Sequence, residues 1–434
     1  MRHATDQPAR CAADQGDSAI ALFRPSARLT HVTAPTRSFG DVALAVGGML
    51  ALASSMGVGR FVYTPILPAM AEALALTKVD AGLIASANFV GYLVGALLTA
   101  LPRLPGGRRT WFLWALVVGA ATTAGMALVG SMAAFLLLRF LGGVASAFAL
   151  VLGSALVLDR LAVTGRTGLA AVHFAGVGLG IAVSAALVDA MQAAGAGWRP
   201  LWLACGAIAS VVIPISAWLV PGADPARTSS LPSLPRSPYS PPGLGRLCLC
   251  HGLFGFGYVV TATFLVAAVR AASGARLLEA VVWIVVGLAA IPSTAIWGRA
   301  GAHWGVLRAY ALACLLQAVG VAAGGLWPTA AGALLASVLL GGTFMGITAL
   351  GFAAARALAP EQQRRSFALM TAGFGVGQIA GPVVAGWLID RTHSFALPSL
   401  IAAMALVAGA AIAMQTARAL ERANASRTSF HSAQ

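Results

Sequence analysis

The chain has 434 residues, of which 59% are hydrophobic and only 9% charged, with 50 glycines and a formal net charge of +15. So little charge excludes an ordinary soluble domain, and the glycine content suits helices that approach one another through small side chains. The charge fits either a nucleic-acid partner or a membrane surface, and its placement along the chain decides between them.

Residues 1–41 are polar, mix Arg with Asp and lack an apolar signal core, so they read as a disordered tail. From Ala43 to Ala417 apolar segments follow almost without pause, each near the roughly 20 residues that carry a helix across a bilayer. Twelve are predicted, over 42–69, 80–101, 110–130, 132–158, 167–190, 198–220, 246–269, 277–298, 306–325, 328–356, 365–389 and 396–417. Lipid offers no partner to backbone polar groups, so each segment closes its own hydrogen bonds as a helix.

The 221–245 connection holds seven prolines and reads as an extended linker. It divides the array into two six-helix bundles, 42–220 and 246–417, followed by a tail over 418–434. The predicted fold class is an all-α membrane protein of twelve transmembrane helices. With the N-terminus cytoplasmic, sixteen arginines lie in the connections and tail on that side, among them Arg108, Arg109, Arg160 and Arg166. The opposite side holds only Lys78, Arg199, Arg270, Arg276 and Arg391. That asymmetry is the positive-inside rule, so both termini are expected in the cytoplasm and no nucleic-acid partner is expected. Cys205, Cys248, Cys250 and Cys314 lie within spans as inert thiols, and no His/Cys/Asp/Glu spacing suggests a metal or cofactor.

The two halves echo each other. Gly57-Val58-Gly59-Arg60-Phe61-Val62 has its counterpart in Gly255-Phe256-Gly257-Tyr258-Val259-Val260, so that Arg60 falls opposite Tyr258. Leu141-Gly142-Gly143 after Arg139 matches Leu340-Gly341-Gly342 after Val338, and Ala175-Gly176-Val177-Gly178-Leu179-Gly180 matches Ala372-Gly373-Phe374-Gly375-Val376-Gly377. All three pairs are offset by six spans. Parallel six-span repeats joined by a linker resemble transporters of the major facilitator superfamily (MFS), which bind substrate near mid-membrane between the repeats.

One stretch is more specific: Gly57 to Met70, reading GVGRFVYTPILPAM, continued by Ala85 to Ala96, reading ASANFVGYLVGA. It resembles the YbfB/YjiJ family of bacterial MFS transporters. The resemblance continues at Ile291-Pro292-Ser293, Gly342 to Gly351, Phe367 to Met370 and Gly377 to Pro382, and so covers roughly 42–417. It implies a multi-pass permease of the bacterial cytoplasmic (inner) membrane and no particular substrate. Leu136 to Gly143 resembles a span-four motif whose Arg, here Arg139, is associated with proton coupling in many relatives. The acid expected beside the basic cluster Arg108-Arg109 is absent, and the Gly-Pro motif of antiporters is missing from span five.

Arg60 is a permanent charge inside an apolar helix, which costs several kcal/mol unless a partner, water or substrate receives it. It lies roughly 15 Å from the outer end of its span and Arg139 roughly 10 Å from the outer end of its own, nearly one level. Two guanidiniums there could grip a carboxylate or phosphate; the competing reading is that each ties helices together through backbone carbonyls. Tyr63, Asn88, Tyr92, Tyr258, Trp283 and Gln378 sit in spans whose counterparts line the superfamily's cavity, and either contact substrate or pack. With Arg139, His173 and His251 are the proton-coupling candidates, weighed against simple packing. Glu72, Asp80, Asp189, Glu279 and Asp390 fall near outer span ends, leaving no carboxylate at mid-depth.

No intramembrane catalytic set is found, so an enzyme is not expected. The sequence points to a monomeric secondary active transporter of a small organic solute, foremost an organic anion, with protons as a coupling candidate. The alternative is efflux of varied hydrophobic compounds.

Overall fold

Proline, glycine and capping residues divide the apolar chain into fourteen α-helices in a computed structural model, which describes residues 38–101, 106–221, 243–273 and 276–431. The tail at 1–37 and most of the proposed linker, 222–242, lie outside the described residues. Among the described residues there is no strand.

Helix α1 (Ser38–Leu52) runs through a π-helical turn, Ala53–Val58, and a short irregular stretch into α2 (Tyr63–Leu74). Its start lies four residues inside the stretch read as a tail, and Asp41 there is buried near Arg160 and Arg166. Then come α3 (Lys78–Thr99), α4 (Arg108–Gly125), α5 (Met132–Val163), α6 (Ala170–Ala193) and α7 (Trp198–Leu219). After the linker come α8 (Leu244–Ser273), α9 (Arg276–Ala290), α10 (Ser293–Trp304), α11 (Val306–Leu326), α12 (Ala330–Leu358), α13 (Gln363–Thr392) and α14 (Ala396–His431). The last helix continues well past Ala417, where Ala, Leu, Arg and Glu favour helix.

Local chemistry sets the ends. Thr77 and Asp80 form a capping box on α3, while Ser131 and Thr329 cap α5 and α12 by accepting from the N–H groups of Ala134 and Gly332. Pro292 breaks the segment predicted over 277–298 into α9 and α10, bent by 45°. Among the described residues eleven helical segments are long and apolar enough to cross a membrane, and the bent pair brings the count to as many as twelve. Large apolar side chains such as Trp218, Val319 and Met404 face outward, as lipid-facing positions do.

The matched glycine motifs meet in matched places. A Cβ on Gly57 would lie 2.4 Å from the backbone of Gly180, and one on Gly377 would lie 2.0 Å from the backbone of Gly252. Gly143 abuts the carbonyl of Asn88 on α3, and Gly341, one position before the counterpart Gly342, abuts that of Val286 on α9. Equivalent pairs of elements therefore pack closely in both halves, though through glycines at shifted positions.

Residues 38–221 and 243–431 meet along three seams. In the first, α3 packs on α13, with the Ser86 hydroxyl donating to the Ile379 carbonyl at 2.8 Å. In the second, α6 packs on α9 through Gly178 and Gly287. In the third, α2 meets α8, where the Thr64 hydroxyl donates to the Ala262 carbonyl at 2.6 Å. The candidate site lies where these seams converge.

Candidate functional site

Arg60 follows the π turn and is only 4% exposed. Its guanidinium carbon lies 4.2 Å from the ring centre of Tyr92, 4.7 Å from that of Phe89 and 5.7 Å from that of Phe61. The phenols of Tyr92 and Tyr258 are directed at it. A desolvated cation–π contact contributes about 2 kcal/mol, so three rings offset much of the burial of this charge. Two of its nitrogens are left over: Nε and one terminal nitrogen have no hydrogen-bond partner among the described residues, and no ion pair there reaches the group.

Arg139, 5% exposed on α5, lies beside it. It donates to the Gly59 carbonyl at 3.0 Å and the Arg60 carbonyl at 3.1 Å, and its guanidinium covers the Tyr63 ring at 5.1 Å. The backbone-tie reading therefore describes both terminal nitrogens of Arg139, leaving only its Nε without a partner among the described residues, whereas the Arg60 side chain makes no backbone bond there and keeps two nitrogens unpartnered. Asn88 donates to the Arg139 carbonyl at 3.0 Å, and the Tyr63 hydroxyl donates to the Ala81 carbonyl at 2.9 Å. Both residues thus tie helices together around the arginines.

Across the seam, Tyr258 stacks between Phe374 and Phe344, with ring centres 5.8 and 6.0 Å away and planes within 8° of parallel. Gln378 donates to the Tyr258 hydroxyl, and its own side-chain oxygen has no donor among the described residues. Trp283 is buried with its Nε1 unpartnered. Phe61, Ile181, Tyr258, Ala262, Trp283, Val286, Leu340 and Phe344 line a central void of about 10 Å³, room for a single water. Arg60, Tyr92, Tyr258, Trp283 and Gln378 therefore converge on the seam between the two segments, in a conformation whose centre is closed.

Neither histidine bonds to the arginines among the described residues, although His251 adjoins the cluster through Phe374 and Phe254, which stack on Tyr258. His173 packs against Gly48 and Phe174 with Nε2 at 2.9 Å from the Ser154 hydroxyl. His251 sits among Phe254, Phe352 and Phe374, with Nδ1 at 3.3 Å from the Tyr310 hydroxyl. Among the described residues no group of three metal-ligating side chains forms.

The sequence reading gave no role to the acids near the span ends, yet two of them, Glu72 and Asp390, reach across the seam. Arg270 on α8 binds Glu279 on α9 at 2.7 Å and approaches Glu72 on α2 at 3.7 Å. Asp390, at the end of α13, accepts from the N–H groups of Lys78 and Val79 at 3.0 and 2.9 Å, capping α3. Glu72, Lys78 and Arg270 also border a cavity of about 270 Å³ at this end of the seam. Acids near span ends were legible in the sequence, but the bonds of Asp390 to Lys78 and Val79, more than 300 residues away, were not.

A polytopic helical bundle with a buried cation and aromatic rings on a seam between two similarly packed segments has the build of a membrane transporter. The chain belongs to the family described as uncharacterised MFS-type transporter YbfB, whose sequence model matches residues 52–414. It is therefore a multi-pass membrane transporter of a small molecule and not an enzyme. No curated protein matches the chain in sequence. In fold it is similar to the nucleoside transporter NupG, with a TM-score of 0.66, 15% identity and coverage of 87% of this chain and 98% of that one. It is also similar to a bacterial homolog of the human lysosomal transporter Spinster in an inward-facing, unoccupied conformation (TM-score 0.63, 14% identity, 89% and 98% covered). The occupied inward-facing form of that homolog gives a TM-score of 0.65 at 16% identity, with 88% and 97% covered.

Proposed function

We propose that this protein is a secondary active transporter that moves a small organic anion through the seam between two six-span bundles, 42–220 and 246–417, by alternating access. On this reading twelve helices span a bacterial cytoplasmic membrane, the broken α9–α10 pair counting as one. The linker at 221–245 and both termini then lie in the cytoplasm.

One observation carries the choice of an anion: the buried Arg60 guanidinium keeps Nε and one terminal nitrogen without acceptors, in a setting of aromatic faces and two phenol hydroxyls with no carboxylate paired to it among the described residues. A carboxylate would fill both positions as a planar fork does, and an apolar body would lie against Phe61, Tyr258 and Phe344. The centre is packed shut, so entry requires the seam to part at one end. If the cycle is proton-coupled, His173 and His251 are the groups this reading would use. A transport rate in inside-out vesicles unaltered by collapse of the pH gradient would remove that element.

The test is thermal unfolding of detergent-purified protein, wild type beside Arg60→Gln, with benzoate, hexanoate, tetraphenylphosphonium and uridine. A ligand that binds the folded state raises the melting temperature. Stabilisation by the carboxylates that disappears in Arg60→Gln supports the anion reading. Stabilisation by the lipophilic cation or the nucleoside, equal in both proteins, replaces it with hydrophobic efflux or neutral-solute transport.

A further inference from the structure

The contacts of Arg139 acquire a purpose once the backbone beneath them is followed. In the π turn the Gly59 N–H reaches back to the Ser54 carbonyl at 2.8 Å and the Phe61 N–H to the Met56 carbonyl at 3.1 Å, both spanning five residues. Such a turn holds one residue more than an α turn. Pro65 then offers no N–H and crowds the carbonyl four residues before it, that of Phe61. The Thr64 N–H donates to that Phe61 carbonyl at 3.3 Å rather than to Arg60. In a regular helix the carbonyls of Gly59 and Arg60 would accept from Tyr63 and Thr64. They are the two carbonyls that receive the terminal nitrogens of Arg139.

We infer that Arg139 is a positioning residue: its fork stands in for backbone donors at the break in the first span and so fixes the direction in which Arg60 projects. The inference deepens the proposed anion site and rests on that reading for its functional consequence. One residue more or fewer in a turn rotates everything beyond it by about 100° about the helix axis. A regularised span would carry Arg60 away from Phe89 and Tyr92 on α3. The fork is itself anchored, since Asn88 donates to the Arg139 carbonyl and Gly143 lets α3 and α5 approach to backbone contact. Two adjacent carbonyls match the rigid fork of a guanidinium; an ammonium on a flexible stem meets one of them. The arrangement thus requires arginine for its shape as well as its charge.

The experiment compares hydrogen–deuterium exchange of the amides at 56–66 in wild type, Arg139→Lys, Arg139→Gln and Arg60→Gln, with benzoate stabilisation measured on the same preparations. Lysine keeps the charge and loses the fork, while glutamine removes the buried charge and with it the main obstacle to insertion. Both are expected to raise exchange at 56–66 by tenfold or more and to weaken benzoate binding by at least tenfold. Arg60→Gln is expected to lose the benzoate response with those amides still protected. Wild-type protection at 56–66 in either Arg139 variant overturns the inference. A full benzoate response in Arg60→Gln overturns the anion site instead, and the exchange measurement, which needs no ligand, still decides the role of Arg139. If neither Arg139 variant folds, Asn88→Ala leaves every charge in place and is expected to raise exchange in the same amides. Unaltered protection there overturns the inference equally.

Discussion

Asp390→Asn tests whether this end of the seam, where α13 meets the start of α3, is held shut by a charge at a helix terminus. The Asp390 carboxylate accepts two backbone N–H groups, from Lys78 at 3.0 Å and Val79 at 2.9 Å, across a gap of more than 300 residues in sequence. Hydrogen bonds to a charged group each contribute about 1.5–3 kcal/mol, and the helix N-terminus adds up to about 1 kcal/mol for a negative charge. Asparagine keeps one acceptor oxygen and no charge, and Asp390 is only half-buried, so the expected loss is about 1.5 kcal/mol. Because the bond joins α3 to α13, that loss applies to the closed form of this end and not to a form in which the helices have parted. It corresponds to roughly a tenfold rise in the open population. The assay is the rate at which a maleimide labels Ala262→Cys, a position in the central void, in a protein otherwise free of cysteine. A tenfold faster rate in the Asp390→Asn background is expected; a rate within twofold of the parent, in folded protein, refutes the reasoning.

Removing Arg270 as Arg270→Met leaves Glu279, 6% exposed, without its partner and is expected to cost about 3 kcal/mol, while the double variant with Glu279→Met recovers most of it. A double-mutant cycle on thermal unfolding measures this, and a single variant as stable as wild type disproves it. Gly341→Val places a Cβ 2.2 Å from the Val286 carbonyl and is expected to destabilise by more than about 3 kcal/mol, whereas Gly342→Ala, with open space at its Cβ, is expected to match or exceed wild type. Equal melting temperatures for the two would contradict that contrast. Arg60→Met removes an unpaired buried charge, so it is expected to raise the melting temperature while erasing stabilisation by benzoate. A lowered melting temperature would mean that the aromatic contacts of Arg60 outweigh its desolvation.

Much of the array was legible because a bilayer imposes a simple rule: a run of about 20 apolar residues must be a helix. Arg60 was legible for the related reason that a charge in such a run demands an explanation. The break of the eighth predicted span at Pro292 was harder to read, since proline is tolerated in membrane helices and its bend depends on neighbours. The sequence likewise left open whether Arg139 reaches a substrate or a backbone carbonyl. That choice depends on two carbonyls freed by a π turn and Pro65, neither of which shows in hydropathy.

Sequence alone determined the class of protein, the repeated glycine motifs and the presence of buried cations without a carboxylate at mid-depth, because each follows from composition and from spacing along one segment. Tertiary structure alone decided that both terminal nitrogens of Arg139 bond to backbone while two nitrogens of Arg60 stay unpartnered among the described residues, and that Asp390 bonds across the seam to α3. A side chain's partner lies within a few ångströms in space but hundreds of residues away in sequence, and only the packing of helices against one another brings the two together.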